Sequence, residues 1–316
     1  MRIGAGLLQS AREPTLVVAE LDGPAIALGR FQRLKTACTS GVQGATEVVR
    51  RNSGGRAIQV SQGTVGVLFA VPDPTALVGA PVPPDKVMNR FVRGLLAGLT
   101  RVGVPGGAHY FGRDFVSAQS KQLAVVGQDG TARAALFEAF VAVDANLQLP
   151  AALDGYPPHA DPRARGPEHV SLAALRGKPL AFDPLAEAIL EGYAGQHHRE
   201  LAHIDAAELP EADLPSAAED EAGFSESGVA EIPIGFLEAL VRAEAGQVLE
   251  ARLRGDFIAP AFVAGALEQS LRGCPLSFGE LGKRVDAAFH LPGAAVVGVR
   301  ELRLFAEAVL AAAAPE

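Results

Sequence analysis

Two adjacent arginines and a pair of glycines lie close together near residue 50 and could bind a negatively charged ligand. The stretch runs Arg50, Arg51, Asn52, Ser53, Gly54, Gly55, Arg56, with an apolar segment on either side. Glycine has no Cβ, so the main chain can approach a ligand closely and present its N–H groups to it. The arginines add fixed positive charge and forked donors for a carboxylate or phosphate. We therefore expect this loop to suit an acyl carboxylate or an acyl-adenylate.

Composition limits the partners that this loop could serve. The chain has 316 residues, 48% of them hydrophobic, which is enough for a large core and about two domains. It contains no Trp and 3 Tyr, so aromatic stacking on bases is not expected. A formal charge of −8 also argues against nucleic acid or an anionic membrane surface as the main partner.

The start of the chain and its cysteines predict a cytoplasmic protein. Residues 1–14 show no charged-then-apolar leader, and no apolar run is long enough to cross a bilayer. Cys38 and Cys274 lie far apart in sequence, and a disulfide between them is the less favoured reading.

The elements that must position the loop are predicted as strands followed by a helix. Residues 15–19 and 25–28 are predicted to form a hairpin across a turn at 22–24. Further strands are expected at 47–50 and 64–71, on either side of the glycine loop. The four-residue spacing of Val87, Phe91, Leu95 and Leu99 predicts a helix over 86–102, capped by Asp85.

The second half of the chain is predicted to separate into three parts. Strands at 123–126 and 139–143, a loop over 145–168 and a helix over 184–198 complete a domain of residues 1–199. Residues 200–231 hold ten acidic residues and no Lys or Arg, which predicts a solvated linker. Residues 232–316 are expected to form a small α+β domain: a hairpin of 236–241 and 248–253, then helices over 261–272, over 277–289 and from about 299.

Four segments of the chain, in order, resemble the lipoate–protein ligase A family of the biotin/lipoate ligase superfamily. The most specific is the Arg-Arg-x-Ser/Thr-Gly-Gly-x-Ala pattern that residues 50–57 match. The other three are residues 28–32 with Cys38 six residues later, residues 112–115 around Asp114, and residues 253–257 ahead of the C-terminal helices.

The resemblance implies an α+β fold, with a mixed β-sheet flanked by helices of the class II synthetase and biotin ligase type, and a small C-terminal accessory domain. It implies that lipoate or octanoate is activated with ATP and Mg²⁺ to an acyl-adenylate. The acyl group would then pass to a lysine on the lipoyl-carrier domain of an oxoacid dehydrogenase, or on the glycine cleavage H protein.

The same resemblance assigns candidate roles and leaves the catalytic lysine open. Arg51, Ser53, Gly54, Gly55 and Arg56 would contact the acyl-adenylate, and Asp114 would orient the lysine or help hold Mg²⁺. Counting from Asp114 places Lys121 at the family's lysine, whereas counting back from Gly127 and Gln128 places Gln122 there. A shift of one residue on a strand turns the side chain to the opposite face, so Lys121 can face the pocket only if a β-bulge absorbs the extra residue.

Departures from the family pattern support a second hypothesis. Where the family usually continues with His-Asp, this chain has Val60 and Ser61. The chain could therefore be a catalytically impaired relative that binds an acyl carrier or a partner subunit. A third hypothesis keeps the chemistry but changes the acyl group or its acceptor. A metal site formed by His197, His198 and His203 is not expected, because the spacing matches no zinc motif.

Overall fold

The computed structural model describes residues 1–39, 47–156, 166–214, 216, 221–226 and 230–314. These residues form an α+β fold with mainly antiparallel sheets flanked by helices, which confirms the predicted fold class. Within these ranges, no helix combines the length and apolar character that crossing a bilayer would need. The cytoplasmic location stays a prediction.

The largest sheet has six strands in the order β1-β5-β9-β8-β7-β6, and every neighbouring pair is antiparallel. Its strands are β1 (Thr15–Glu20), β5 (Thr64–Val71), β6 (His109–Tyr110), β7 (Phe115–Ala118), β8 (Lys121–Gly130) and β9 (Ala135–Ala142). The central strands β5, β8 and β9 are almost entirely buried, which explains their runs of Val, Ala, Leu and Phe. The turn between β8 and β9 lies at 131–134, so both strands extend beyond the predicted ranges 123–126 and 139–143 towards that turn.

A small second sheet carries the glycine loop. It has the order β3-β2-β4, formed by β2 (Ala25–Leu28), β3 (Glu47–Arg50) and β4 (Ile58–Val60). Strand β2 is parallel to β3 and antiparallel to β4. The predicted hairpin of 15–19 with 25–28 was therefore wrong. Both strands exist, but β1 pairs with β5 in the large sheet, whereas β2 belongs to the small sheet. The chain crosses from one sheet to the other at the turn near Gly23.

Helices cover the large sheet and frame its ends. The N-terminal half contributes α1 (Arg2–Ser10), α2 (Leu34–Ala37), α3 (Pro74–Val78), α4 (Val87–Arg101), α5 (Leu172–Arg176) and α6 (Phe182–His197). Buried residues of α4 such as Phe91, Leu95 and Leu99 confirm the predicted apolar stripe. Asp85 does not cap this helix, because a 3₁₀ turn over Pro84–Lys86 precedes it and the capping position falls on Lys86.

The C-terminal part follows the predicted order of strands and then helices. It consists of β10 (Ser225–Glu226), β11 (Ala230–Ile232), β12 (Gly235–Glu244), β13 (Gln247–Gly255), α7 (Ala261–Leu271), α8 (Phe278–Phe289) and α9 (Arg303–Ala313). Phe257, which follows β13, stacks on Phe31 with ring centroids 4.5 Å apart. This contact joins the C-terminal core to the segment beside the glycine loop. The proposed boundaries at 199 and 232 stay predictions.

Parts of the acidic segment 200–231 are attached to the rest of the protein through Arg33. Arg33 is 1% exposed and donates two hydrogen bonds of 2.6 Å to the carboxylate of Glu221. It also lies 2.9 Å from Glu226 and 2.8 Å from Glu238 of β12. Hydrogen bonds from Arg33 lower the pKa of Glu221 to about 2. The sequence predicted a solvated linker and did not indicate this ion cluster, because Arg33 lies far from residues 200–231 along the chain.

Candidate functional site

The loop of residues 51–56 lies in the interior, under the C-terminal part of the chain. Arg51, Ser53 and Arg56 are 1%, 1% and 7% exposed. A Cβ on Gly54 would stand 2.1 Å from the carbonyl oxygen of Phe257, so only glycine permits this approach of the two backbones. Gly55 has a φ of 98°, which also favours glycine. The two glycines are therefore needed to pack the loop beneath residues 257–258.

Arg51 holds the loop closed and keeps part of its guanidinium group available. Its Nη2 donates to the carbonyl oxygens of Gly54 and Arg56, both at 2.9 Å. Its Nε and Nη1 are buried and have no hydrogen-bond partner among the described residues. Burial lowers the pKa of Arg51, and the nearby carboxylates of Glu138 and Asp114 oppose this shift. Two buried N–H donors without partners are costly, and a carboxylate or phosphate would satisfy both.

Arg50, in contrast, has a structural role. It is 2% exposed, and its Nη1 donates to three main-chain carbonyl oxygens before the small helix α2. These acceptors are Gly29 at 3.1 Å, Arg30 at 2.9 Å and Gln32 at 2.6 Å. Arg50 therefore fixes the segment that follows β2. Of the two arginines in the motif, Arg51 is the candidate for ligand contact.

Glu138 of β9 holds the first half of the loop through hydrogen bonds. Its two carboxylate oxygens accept from the Asn52 side chain at 2.7 Å and from the Ser53 main-chain N–H at 2.8 Å. The Ser53 Oγ is buried and has no partner among the described residues. It lies over Gly127 of β8, where a Cβ would stand 2.3 Å from it. The sequence reasoning did not identify Glu138, because a lone acidic residue in an apolar strand has no motif around it.

Arg56, Asp114 and Gln122 form a buried polar group on the other side of the loop. The Nε of Arg56 donates to Asp114 Oδ2 at 2.9 Å, and its Nη2 lies 3.3 Å from Gln122 Oε1. Asp114 Oδ1 has no hydrogen-bond partner among the described residues. One free carboxylate oxygen beside an arginine is compatible with Mg²⁺, which binds to one or two carboxylates together with substrate phosphates.

A β-bulge at Leu123 decides which residue of β8 enters this group. Ser117 pairs with Gln122 and Val116 with Ala124, so Leu123 is the extra residue. Gly127 of β8 lies against Ser53, so its face of the strand is the one that points to the loop. In a regular strand Lys121 would lie on this same face, six residues before Gly127. The bulge places Gln122 there instead. The bulge that the sequence alternatives depended on is therefore present, and in this structure it brings Gln122 to the loop side.

Lys121 lies at the surface in this structure. Its side chain is 48% exposed and its Nζ is 3.0 Å from a carboxylate oxygen of Glu168. Gln122 is 1% exposed, and its main chain is bonded on both sides by the segment 168–170. The structure thus brings Arg51, Ser53, Gly54, Gly55, Arg56, Asp114 and Gln122 together and leaves Lys121 outside. A catalytic role for Lys121 stays a prediction.

Four further polar residues form a network near Arg56, and the sequence did not assign any of them to this site. Tyr156 Oη donates to Asp256 Oδ2 at 2.6 Å, and Gln32 Nε2 donates to Asp256 Oδ1 at 2.6 Å. Burial raises the pKa of Asp256 to about 6, and the hydrogen bond from Tyr156 opposes this shift. His169 also lies close to Arg56 and Asp114, and burial followed by the charge of Arg56 lowers its pKa to about 4. These residues come from separate segments, so only the tertiary fold shows that they are neighbours.

An apolar cluster adjoins the polar group. It is formed by Ala25, Ala27, Ile58, Val60, Val125, Phe140, Ala142 and Leu147, between the small and the large sheet. The guanidinium carbon of Arg51 lies 6.0 Å from the centre of the Phe140 ring. Val60, which replaces a histidine of the family pattern, is part of this cluster. A carboxylate bound at Arg51 would therefore have apolar side chains beside it, as a fatty acyl chain requires.

His197 and Cys38 contribute to packing in this structure. Among the described residues, no three His, Cys, Asp or Glu side chains are grouped closely enough to hold a metal ion. His197 packs on the rings of Phe69 and Tyr193, with centroids 5.4 and 6.3 Å away. Cys38 is buried, which raises its pKa to about 11, so its thiol stays protonated and is a poor nucleophile.

Comparison with known proteins identifies the fold. No model of a protein family matches the chain. No curated protein matches it either. Among solved structures, LipL1 of P. falciparum in complex with lipoate matches with a TM-score of 0.62 at 12% identity, covering 87% of this chain and 82% of that one.

Two other solved structures have a similar fold. The bipartite lipoate protein ligase of Thermoplasma acidophilum, solved with its E2 lipoyl domain, has a TM-score of 0.52 at 15% identity and covers 64% of this chain and 81% of its own. A lipoate-protein ligase A bound with ATP has a TM-score of 0.50 at 13% identity, covering 64% and 81%. At such identities the likeness defines the architecture alone. The chain has a lipoate–protein ligase-like fold.

Proposed function

We propose that this chain binds lipoate, octanoate or the corresponding acyl-adenylate at the Arg51 loop, as a lipoate–protein ligase-like protein. The observation that carries the proposal is the pair of buried donors on Arg51, Nε and Nη1, which have no partner among the described residues. The same loop holds Ser53 Oγ, which also has no partner in the part of the chain that the structure describes, and an apolar cluster that includes Phe140 lies beside Arg51. A carboxylate or phosphate with an apolar tail matches all three features.

In its full form the function is acyl transfer. ATP, with Mg²⁺ held near Asp114, would supply the adenylyl group that activates the acyl carboxylate. Arg51 and Arg56 would hold the anionic groups, since guanidinium donors bind carboxylate and phosphate oxygens in pairs. The acceptor would be a carrier-domain lysine of an oxoacid dehydrogenase or of the glycine cleavage H protein. The Thermoplasma acidophilum protein similar in fold was solved with such a lipoyl domain.

The second candidate function is binding without turnover, and the position of Gln122 favours it. A lysine ammonium near the acyl carbonyl and the phosphate would stabilise the charge that develops in both half-reactions, an effect worth about 3 kcal/mol for one preorganised donor. Here the neutral amide of Gln122 is buried beside Arg56, and Lys121 pairs with Glu168 at the surface. Such a protein would recognise an acyl group, an acylated carrier or a partner subunit.

Binding and turnover are tested separately. Calorimetric titration of the full chain with octanoate, with lipoate and with ATP measures binding, and Arg51→Lys, which loses the forked donors, should weaken octanoate binding about tenfold. Arg90→Lys, on an exposed part of α4, is the matched control. Equal octanoate affinity in the wild type and Arg51→Lys, or no binding by the wild type, would remove the proposal.

Turnover is read from the mass of an apo H protein incubated with the chain, ATP, Mg²⁺ and lipoate. Acyl addition by the wild type supports the ligase. Binding without acyl addition supports the second candidate. In that case Gln122→Lys should restore measurable adenylate formation, because Asp114, which pairs with Arg56 through Oδ2 and whose Oδ1 has no partner among the described residues, would help to balance the second cation.

A further inference from the structure

A small pocket lies where the C-terminal part of the chain meets helix α2. Its volume is about 180 Å³, which is too small for a drug-sized ligand but enough for a short unbranched chain. The rings of Tyr156 and Phe236 form part of its wall, edge to face with centroids 4.8 Å apart. Ala37, Gly155 and Gly255 add to this wall and leave room between the rings and α2. The pocket is therefore suited to an alkyl group.

Asp256 lines this pocket, and its carboxylate is buried without a cation among the described residues. It is 2% exposed. Its Oδ1 accepts from Gln32 Nε2, and its Oδ2 accepts from Tyr156 Oη and from the main-chain N–H of Phe236, each at 2.6 Å. All three donors are neutral, and Arg56 acts on Asp256 only from beyond ion-pair distance. Buried charges are normally paired, so a cationic ligand would complete the charge balance here.

The geometry around Asp256 selects an ammonium group among the possible cations. An ionised carboxylate accepts about four hydrogen bonds, so the three donors leave one acceptor position, on Oδ1. A guanidinium group needs two oxygens side by side for its fork. A metal ion needs several ligands, and the described part of the chain contains no suitable group of three. An ammonium group is compact and can donate a single bond to Oδ1.

A charge cluster adjoins the pocket through Lys35 and Glu238, which both line it. The cluster contains two cations and three carboxylates, so it carries one net negative charge and attracts a cation. Its members are Arg33, Lys35, Glu221, Glu226 and Glu238. The Nζ of Lys35 is 2.7 Å from Glu221 and also pairs with Glu226. Lys35 is therefore held by these carboxylates and does not neutralise Asp256.

We propose that this pocket binds a primary ammonium group on an unbranched alkyl stem, with the ammonium paired to Asp256 and the stem against the rings of Tyr156 and Phe236. The lysine side chain of a peptide and a free alkylamine share this chemistry. None of residues 51–56 lines the pocket, so the site does not depend on the function proposed for the Arg51 loop.

Two amines serve as probes, n-butylamine and Nα-acetyl-lysine N-methylamide. Ligand-observed NMR titration of the full chain at about pH 8, where carboxylates and alkyl amines are charged, should show saturable binding. Nα-acetyl-norleucine N-methylamide differs from the second probe only in lacking the ammonium group. It should bind at least about tenfold more weakly, the loss expected for one charged hydrogen bond.

The two probes also distinguish the sources of the amine. Saturable binding of the lysine compound supports a lysine side chain on a peptide. Saturable binding of n-butylamine alone supports a free alkylamine. Absence of binding by both probes, or equal binding of the lysine and norleucine compounds, would overturn the proposal.

Asp256→Asn tests the role of the carboxylate, because it removes the charge and keeps the size of the side chain. Amine binding should weaken at least about tenfold. Asp129→Asn is the matched control, since Asp129 is also buried, at 4% exposed, and does not line this pocket. It should leave amine binding unchanged. Equal amine affinity in the wild type and Asp256→Asn would contradict the proposal.

A blocking pair provides a readout independent of Asp256. Thr36 lines the pocket and Thr39 does not, and both are half-buried. Thr36→Phe should abolish amine binding and Thr39→Phe should retain it, a comparison that still decides if Asp256→Asn fails to fold. Arg51→Lys should leave amine binding unchanged. The titrations contain no acyl ligand, so their result and the octanoate result can fail separately. Equal binding by the wild type and Thr36→Phe would also overturn the proposal.

Discussion

Gln122 and Lys121 are adjacent on β8, and their side chains end in opposite environments. Gln122 is buried with its amide oxygen 3.3 Å from Arg56, whereas Lys121 is 48% exposed and lies 3.0 Å from Glu168. The single extra residue at Leu123 produces this arrangement by shifting the register of β8 against β7. This one β-bulge therefore determines that a neutral amide, and not an ammonium group, lies beside Arg56.

Lys121→Ala is expected to leave ligand binding almost unchanged. The side chain is exposed and its ion pair with Glu168 is of the kind that contributes little. We expect octanoate affinity, and acyl transfer if it occurs, to stay within about twofold, and stability within about 0.5 kcal/mol. Lys86→Ala, another exposed lysine, is the control. A tenfold loss of octanoate binding or acyl transfer in Lys121→Ala alone would show that this lysine turns inward to act.

Gly54→Ala is expected to destabilise the protein by about 1–3 kcal/mol or more. The new methyl group would stand 2.1 Å from the Phe257 carbonyl oxygen and 2.9 Å from the Ile258 Cα, and neither backbone atom can rotate away. Urea unfolding measures the change. Gly265→Ala, in α7 with nothing within 4 Å of the new Cβ, should instead stabilise by up to about 1 kcal/mol. If both variants behave alike, the packing of the loop beneath Phe257 is not as described.

Arg33→Met is expected to cost about 3–5 kcal/mol, because it leaves the buried carboxylate of Glu238 without its cation. The double variant Arg33→Met/Glu238→Gln should recover part of this loss, since the uncompensated charge is removed. Denaturant unfolding of the two single variants and the double variant gives the coupling energy. Arg303→Met, which breaks an exposed pair with Glu301, should cost less than about 1 kcal/mol. Additive effects of the two changes would contradict the ion cluster.

His169 is expected to make stability depend on pH. Burial and Arg56 lower its pKa from 6.5 to about 4, so the unfolded chain binds a proton here more readily than the folded one. The contribution is complete above pH 6.5 and is lost as the pH falls towards 4, by an amount on the order of 2–3 kcal/mol.

His169→Gln removes this titration, so its stability relative to the wild type should rise as the pH is lowered from about 7.5 to about 4.5. Urea midpoints at several pH values measure it, and His203→Gln, on an exposed segment, is the control. A constant difference between His169→Gln and the wild type over this range would show that His169 is not held as a neutral side chain.

The sequence predicted the local elements and the chemical character of the loop. Buried strands such as β5 and β9, the helix α4 and the hairpin β12–β13 were recognisable from apolar patterns and turn residues. The Arg-Gly-Gly pattern also indicated a candidate anion-binding loop, because few other residue types provide forked donors and close backbone approach. The closeness of the loop to Phe257 was not recognisable, since it depends on segments about 200 residues apart.

What only the tertiary structure decided is which groups meet at that loop. Strand pairing placed β1 and β2 in different sheets, and a one-residue bulge placed Gln122 rather than Lys121 beside Arg56. Glu138, Asp256 and His169 joined the site from distant segments. The physical reason is that propensity and periodicity act over a few neighbouring residues. Strand register and the contacts between segments are instead set by the packing of the whole core.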